Sequence, residues 1–295
     1  MTKFIMNFFN GLAIGITETI PGVSGGTIAI ILGFYNELIY TVNHFTRDLR
    51  KHLIFITPIL LGVVAGLIVF SSVINYLLTK FSFPTMAFFI GLIVGIIPLI
   101  FIKVKTPGRW FTLKESALIL LPLLALLILG SLRPVEIIDV SERISSIDVP
   151  FMLFILVAGI IAAAALVVPG ISGSFMLLLM GIYPLATHSV SSLGVLLTDI
   201  SNTSLMLDIA KVLAPLAIGI IIGGLSTARL IGKLLKKHYK TMYSIILGLL
   251  VGSIYVLFRD PIMFQSGSPA LHITIGIVTL ISGSIISFSL GKKHL

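Results

Sequence analysis

Two short segments carry the groups best suited to chemistry. Pro21-Gly22-Val23-Ser24-Gly25-Gly26-Thr27 and Pro169-Gly170-Ile171-Ser172-Gly173-Ser174-Phe175 lie 148 positions apart, each inside an apolar stretch. Proline and adjacent glycine end a helix, while serine is a favoured N-cap for the next one. The order Pro-Gly then Ser-Gly therefore predicts a helix end, a break and a new helix start. The first turn of a helix has amides without internal acceptors and a positive dipole end. Such an end binds anions, phosphate above all. The hydroxyls of Ser24, Thr27, Ser172 and Ser174 add donors. Gly25, Gly26 and Gly173 let an anion approach the backbone closely. A plainer alternative is that the breaks are kinks that serve close helix packing.

Two charged residues belong with these segments. Glu18 stands three residues before Pro21. A carboxylate at membrane depth is costly and is a functional candidate by default. Beside a phosphate it repels unless protonated or paired. It is read as a coupling or gating group, through a proton or through a contact that opens when substrate arrives. A purely structural, neutral glutamic acid is the alternative. Leu166 occupies the matching place before the second segment. Arg229 sits four residues before Lys233 at the end of an apolar stretch. Its guanidinium fork suits phosphate, or it snorkels to the membrane surface as a topological charge.

Other chemistry finds little support. The chain has no cysteine, so thiol catalysis and Cys-ligated metals are excluded. His44, His52, His188, His238, His272 and His294 lie near the ends of apolar stretches without ligand spacing, so no metal and no cofactor is expected. Ser24 and Ser172 have no adjacent base for nucleophilic catalysis.

The elements that position these groups follow from composition. Of 295 residues 57% are hydrophobic and 11% charged, and the mean hydropathy is +1.15. A soluble domain carries about 25% charged residues. The sequence therefore predicts an all-α polytopic membrane protein. Six spans are predicted: Leu53 to Leu78, Pro84 to Ile102, Ser116 to Leu132, Val212 to Ala228, Met242 to Phe258 and Leu271 to Leu290. Phe4 to Phe45 and Phe151 to Thr187 are apolar regions interrupted by the two segments. Lys3 precedes the first without a small-residue cleavage site, so the first segment is read as retained.

Charge sets the orientation. Fifteen Lys and Arg fall at the N-terminus, at 47–51, 103–114 and 229–240, and in the tail. The alternate loops hold five: Lys80, Arg133, Arg143, Lys211 and Arg259. The positive-inside rule places both termini in the cytoplasm. The net charge of +9 is read as topological rather than as a nucleic-acid footprint. The loops alternate only if each broken region enters and leaves on one side. That parity fits a re-entrant hairpin or two full crossings, and the break favours the hairpin.

The chain repeats itself. At the offset of 148, Gly11 meets Gly159, Gly33 meets Gly181 and Tyr35 meets Tyr183. At an offset of 157, Pro58 meets Pro215, Gly62 meets Gly219, Gly66 meets Gly223, Lys80 meets Lys237, Gly91 meets Gly248 and Gly95 meets Gly252. One transporter domain, 1–295, thus divides into a first repeat, 1–135, an extracytoplasmic linker, 133–149, and a second repeat, 150–295. Each repeat is a re-entrant broken-helix hairpin plus three transmembrane helices. Three is odd, so the second repeat is inverted, as in secondary transporters.

These paired signatures, with Gly33-Phe34-Tyr35 and Gly181-Ile182-Tyr183 after them, resemble the PopT family of bacterial undecaprenyl-phosphate translocases. The resemblance covers essentially the whole chain. It implies a polyprenyl monophosphate cargo, the lipid carrier of cell-wall precursors, returned from the outer to the cytoplasmic leaflet. It also implies phosphate binding by Ser24, Gly25, Gly26, Thr27, Ser172, Gly173 and Ser174. The family pattern usually has Asp where Glu18 stands, so the acid is kept but longer.

The leading expectation is a polyprenyl-phosphate flippase working by alternating access around a midplane phosphate site. A secondary transporter of a small soluble anion is the alternative. An intramembrane lipid phosphatase is a third, disfavoured by the missing nucleophile–base pair, so the protein is read as no enzyme. Small residues in spans pack within a chain as readily as between chains, so a homodimer stays open.

Overall fold

A computed structural model of the chain describes residues 2–20, 23–45, 47–105, 108, 111–132, 140–198, 202–264 and 269–293. Pro21, Gly22, Arg109, Arg133, Glu136, Asp139, Asp199 and His294 lie outside the described residues. Among those described, the regular structure is helical: α1 Thr2–Glu18, α2 Gly25–Ile31, α3 Tyr35–Asn43, α4 Leu49–Lys80, α5 Ser82–Val104 and α6 Leu113–Ser131, then α7 Val140–Ser145. There follow α8 Val149–Val167, α9 Gly173–Leu179, α10 Tyr183–Thr198, α11 Thr203–Lys237, α12 Tyr239–Arg259 and α13 Pro269–Lys292, with a 3₁₀ turn at Pro261–Phe264.

Seven of these helices are long and apolar enough to cross a membrane. Six coincide with the predicted spans, on α4, α5, α6, α11, α12 and α13. The seventh is α8, the first arm of the second broken region. Its counterpart α1 has 17 residues, about 26 Å at 1.5 Å per residue. Large apolar side chains such as Ile68, Ile102, Leu121 and Val278 stand exposed along the spans. So much exposed apolar surface is stable only against lipid.

Each broken region is more segmented than the sequence indicated. A second break follows the first, where the chain turns by 118° between α2 and α3 and by 112° between α9 and α10. Both turns are built alike. The Gly33 amide donates to Ile30 O and the Phe34 amide to Ala29 O; the Gly181 amide donates to Leu178 O and the Ile182 amide to Leu177 O. This is a Schellman C-cap, which needs a left-handed residue. Gly33 and Gly181 supply it, with φ of 78° and 71°.

A further correction concerns the basic segment 229–240, read from the sequence as a loop. Arg229 to Lys237 are the last turns of α11. Lys and Arg are good helix formers, and cations are favoured at a helix C-terminus. At 35 residues, α11 is about 52 Å long and outruns a hydrocarbon core of about 30 Å.

The chain forms two compact units. One comprises Met1–Ser131, Val168–Ile171 and Ala228–Leu295; the other comprises Leu132–Val167 and Ser172–Thr227. In the first unit α1 lies on α4, α5 on α13 and α6 on α12. Its fully buried side chains include Met86, Ile96, Ile100, Met242, Ile246 and Leu250. The second unit closes on Ile155, Ile182, Leu185 and Val212.

Glycine contacts recur at the matched positions. A Cβ at Gly11 would strike the Ile59 carbonyl on α4, and one at Gly62 the Phe8 carbonyl on α1. In the other unit, Gly159 and Gly219 stand in the same way against Leu216 on α11 and Leu156 on α8. Gly91 on α5 faces Leu280 on α13, and its match Gly248 on α12 faces Ile119 on α6. Only glycine lets backbones approach this closely.

Candidate functional site

The first segment runs from the end of α1 into α2. The Gly25 amide donates to Glu18 Oε1 at 2.9 Å. The Glu18 carboxylate thus sits on the start of α2 and holds its first amide. A Cβ at Gly25 would lie 2.7 Å from Glu18 Oε1 and 2.8 Å from Ile14 Cγ2. Glycine here is what admits the carboxylate. Ser24, Gly25, Gly26 and Thr27 are all buried.

Ser24 departs from the expected cap. It stands at the N-cap position with extended backbone, yet its side chain makes no capping hydrogen bond. Its hydroxyl instead donates to Val168 O at 3.5 Å. The Thr27 amide, which such a cap would serve, donates instead to Ser24 O at 3.0 Å.

The second segment keeps the expected cap. The Phe175 amide donates to Ser172 Oγ at 3.4 Å, and Ser172 Oγ and Ser174 Oγ share a hydrogen bond at 2.8 Å. No carboxylate corresponds to Glu18. The ideal Cβ of Gly173 meets the Cβ of Leu166 at 3.4 Å and Ala162 O at 2.7 Å. The amides of Gly173 and Ser174 belong to a first turn, where a helix has no internal acceptor.

Gly170, early in the second segment, touches Thr27 of the first. Within the first unit, the buried Gly170 amide donates to Thr27 Oγ1 at 3.0 Å. Gly170 has φ of 94°, and a Cβ there would lie 2.8 Å from the Leu249 carbonyl carbon on α12. A side chain at that turn is excluded twice, by φ and by contact. Thr27 still has its own proton to donate. At seven residues each, α2 and α9 have little macrodipole. Their first-turn amides and hydroxyls carry whatever anion binding they offer.

Arg229 lies elsewhere. It lines a cavity of about 560 Å³ with Arg47, Lys233, Lys236 and Lys237, and none of the described paired-segment residues takes part. The cavity lies where α3 and the residues after it meet the end of α11 and the start of α12. The Asn43 side-chain amide of α3 donates to Ala228 O of α11 at 2.8 Å, and Gly232 leaves room for it.

Residues 14–269 match the family described as undecaprenyl phosphate translocase-like. The chain belongs to that family. It is 30% identical over 290 residues to a Staphylococcus aureus (strain NCTC 8325 / PS 47) protein named polyprenyl-phosphate transporter, across 97% of this chain and 96% of that one. A Vibrio cholerae serotype O1 protein of the same name is 28% identical over 266 residues, across 85% of this chain and 77% of that one. No solved structure matches.

In this undecaprenyl phosphate translocase-like chain, the matched region contains Glu18, both segments and Arg229. Sequence reasoning missed two contributions. The Thr27–Gly170 contact joins residues 143 positions apart and leaves no periodic signal. Arg47, Lys233, Lys236 and Lys237 were counted only as topological charges, although their spacing from Arg229 already put several on one helical face.

Proposed function

We propose that the protein is a polyprenyl-phosphate translocase that returns the lipid carrier from the outer to the cytoplasmic leaflet for cell-wall polymer synthesis. The observation that carries this reading is the hydrogen bond from the Gly170 amide to Thr27 Oγ1 at 3.0 Å. It brings Gly170 of the second signature onto Thr27 of the first, in a chain whose relatives are named polyprenyl-phosphate transporters.

The phosphate is held by the hydroxyls of Ser24, Thr27, Ser172 and Ser174 and by the first-turn amides of Gly25, Gly26, Gly173 and Ser174. A charged headgroup costs several kcal/mol at the bilayer centre by insertion scales, roughly 2.5–3.5 kcal/mol for a charged side chain. These donors offset that cost while the prenyl tail stays in lipid. Both broken regions are re-entrant, and the two repeats are inverted. The repeated glycine contacts and the duplicated Schellman turns support the repeat, and the alternation of basic loops supports its inversion. Alternating access then opens one site to either leaflet.

Glu18 gates the site. Its carboxylate holds the Gly25 amide at 2.9 Å, so a phosphate oxygen must displace it. Displacement is easiest when the acid takes up a proton, which couples phosphate binding to protonation. The second segment has Leu166 in this place and accepts phosphate without that step.

The test is transbilayer movement of a labelled polyprenyl phosphate in proteoliposomes, beside a matched neutral polyprenol. Movement of the phosphate alone supports the reading. Movement of neither, with or without a proton gradient, overturns it and turns the search to small soluble anions.

A further inference from the structure

The cavity around Arg229 holds an unusual set of charges. Arg47, Arg229, Lys233, Lys236 and Lys237 all line it, and among the described residues no carboxylate does. Like charges gathered in one concavity raise each other's energy, and a bound anion relieves all five together. Topology alone does not require this gathering. The positive-inside rule counts charges near span ends and is indifferent to whether they face one space.

The cavity is also held in shape. Asn43 fastens the end of α3 to α11 through Ala228 O at 2.8 Å. Its Oδ1 is buried without a hydrogen-bond partner. Ile39, Tyr40, Leu235 and Tyr239 line the same cavity and give it apolar and aromatic surface. Cationic forks beside apolar surface fit an amphiphile with a phosphate head.

We propose that this cavity is a second binding site for a phosphate monoester headgroup, separate from the paired Ser-Gly segments and on the side read as cytoplasmic. A translocated lipid phosphate would dock there after leaving the paired segments. The lipid source rests on the translocase reading; the anion site itself does not.

Lysine footprinting tests it. The full-length protein in detergent micelles is treated with an acylating reagent, and modification of each lysine is followed by peptide mass spectrometry. The probes are farnesyl phosphate, farnesol and inorganic phosphate. Farnesyl phosphate should slow acylation of Lys233 and Lys236 by about fivefold or more, an effect expected of a site near saturation. Lys105 and Lys292, outside the cavity, serve as references and should change little. Farnesol should do nothing. Equal protection by inorganic phosphate names free phosphate as the ligand; protection by farnesyl phosphate alone names the lipid headgroup. Arg47→Gln with Arg229→Gln should abolish protection, while Arg47→Lys with Arg229→Lys should retain part of it. Absence of protection in the unmodified protein, or equal slowing at the reference lysines, overturns the site. Proteoliposomes made from the same preparation separate the two proposals. Transport without protection removes the cavity site and leaves the translocase; protection without transport does the reverse.

Discussion

Glu18 and Leu166 occupy the same place in the two segments and meet the following glycine in different ways. Glu18 accepts from the Gly25 amide at 2.9 Å, whereas Leu166 only packs near Gly173. On the gating account, Glu18→Gln removes a charge that competes with phosphate. Phosphate binding by that variant should tighten, by about tenfold if the gain is about 1.4 kcal/mol, and transport should lose its response to a proton gradient. Leu166→Glu should do the opposite at the second segment and slow transport. Titration of lipid-phosphate binding in each variant checks both; unchanged affinity in Glu18→Gln contradicts the gate. Thr27 has a structural role that is separable from binding. Thr27→Val leaves the buried Gly170 amide without its acceptor, at a cost of about 1–3 kcal/mol. The melting temperature in detergent should fall, and Thr27→Ser should restore it. The acid and the hydroxyls were legible as isolated residues in the sequence. Their partners were not, because an amide seven or 143 positions away is chosen by the fold and has no local pattern.

At the scale of elements, the repeat predicts that matched glycines fail alike. Gly62→Val and Gly219→Val each drive a side chain into a neighbouring backbone carbonyl, at Phe8 and at Leu156. Overpacking of a core costs about 1–3 kcal/mol, and more where backbone must move. Both variants should lower the melting temperature by similar amounts, and Gly224→Val, with open space at its Cβ, should not. A large effect at Gly62 with none at Gly219 would break the correspondence. The helix series was largely readable, since apolar length sets spans directly. The bends at Gly33 and Gly181 were not. Those glycines stood out as repeat matches, but a left-handed C-cap depends on φ, which composition does not reveal. The basic end of α11 was misread because charge marks the membrane surface without saying whether the helix stops there.

For the whole molecule, the proposed inversion would put matched residues on opposite membrane faces. Lys80 and Lys237 are one such pair, at the offset of 157. The chain has no cysteine, so single Lys80→Cys and Lys237→Cys variants need no background correction. In intact cells an impermeant thiol reagent should label the cysteine at 80 and spare the one at 237. Labelling of both from one side contradicts inversion. The overall class was plain from the sequence, because so little charge cannot clothe a soluble surface. The cationic cavity was hidden, since Arg47 and Arg229 come together only when α3 meets the end of α11. The claim that joins all three scales is that the paired segments carry a lipid phosphate through the bilayer. Its most direct measurement is the rate of polyprenyl-phosphate movement in proteoliposomes, for the unmodified protein and for Ser24→Leu with Ser172→Leu. The account predicts rapid movement in the first and loss of it in a variant that still melts cooperatively. Equal rates in the two would contradict it.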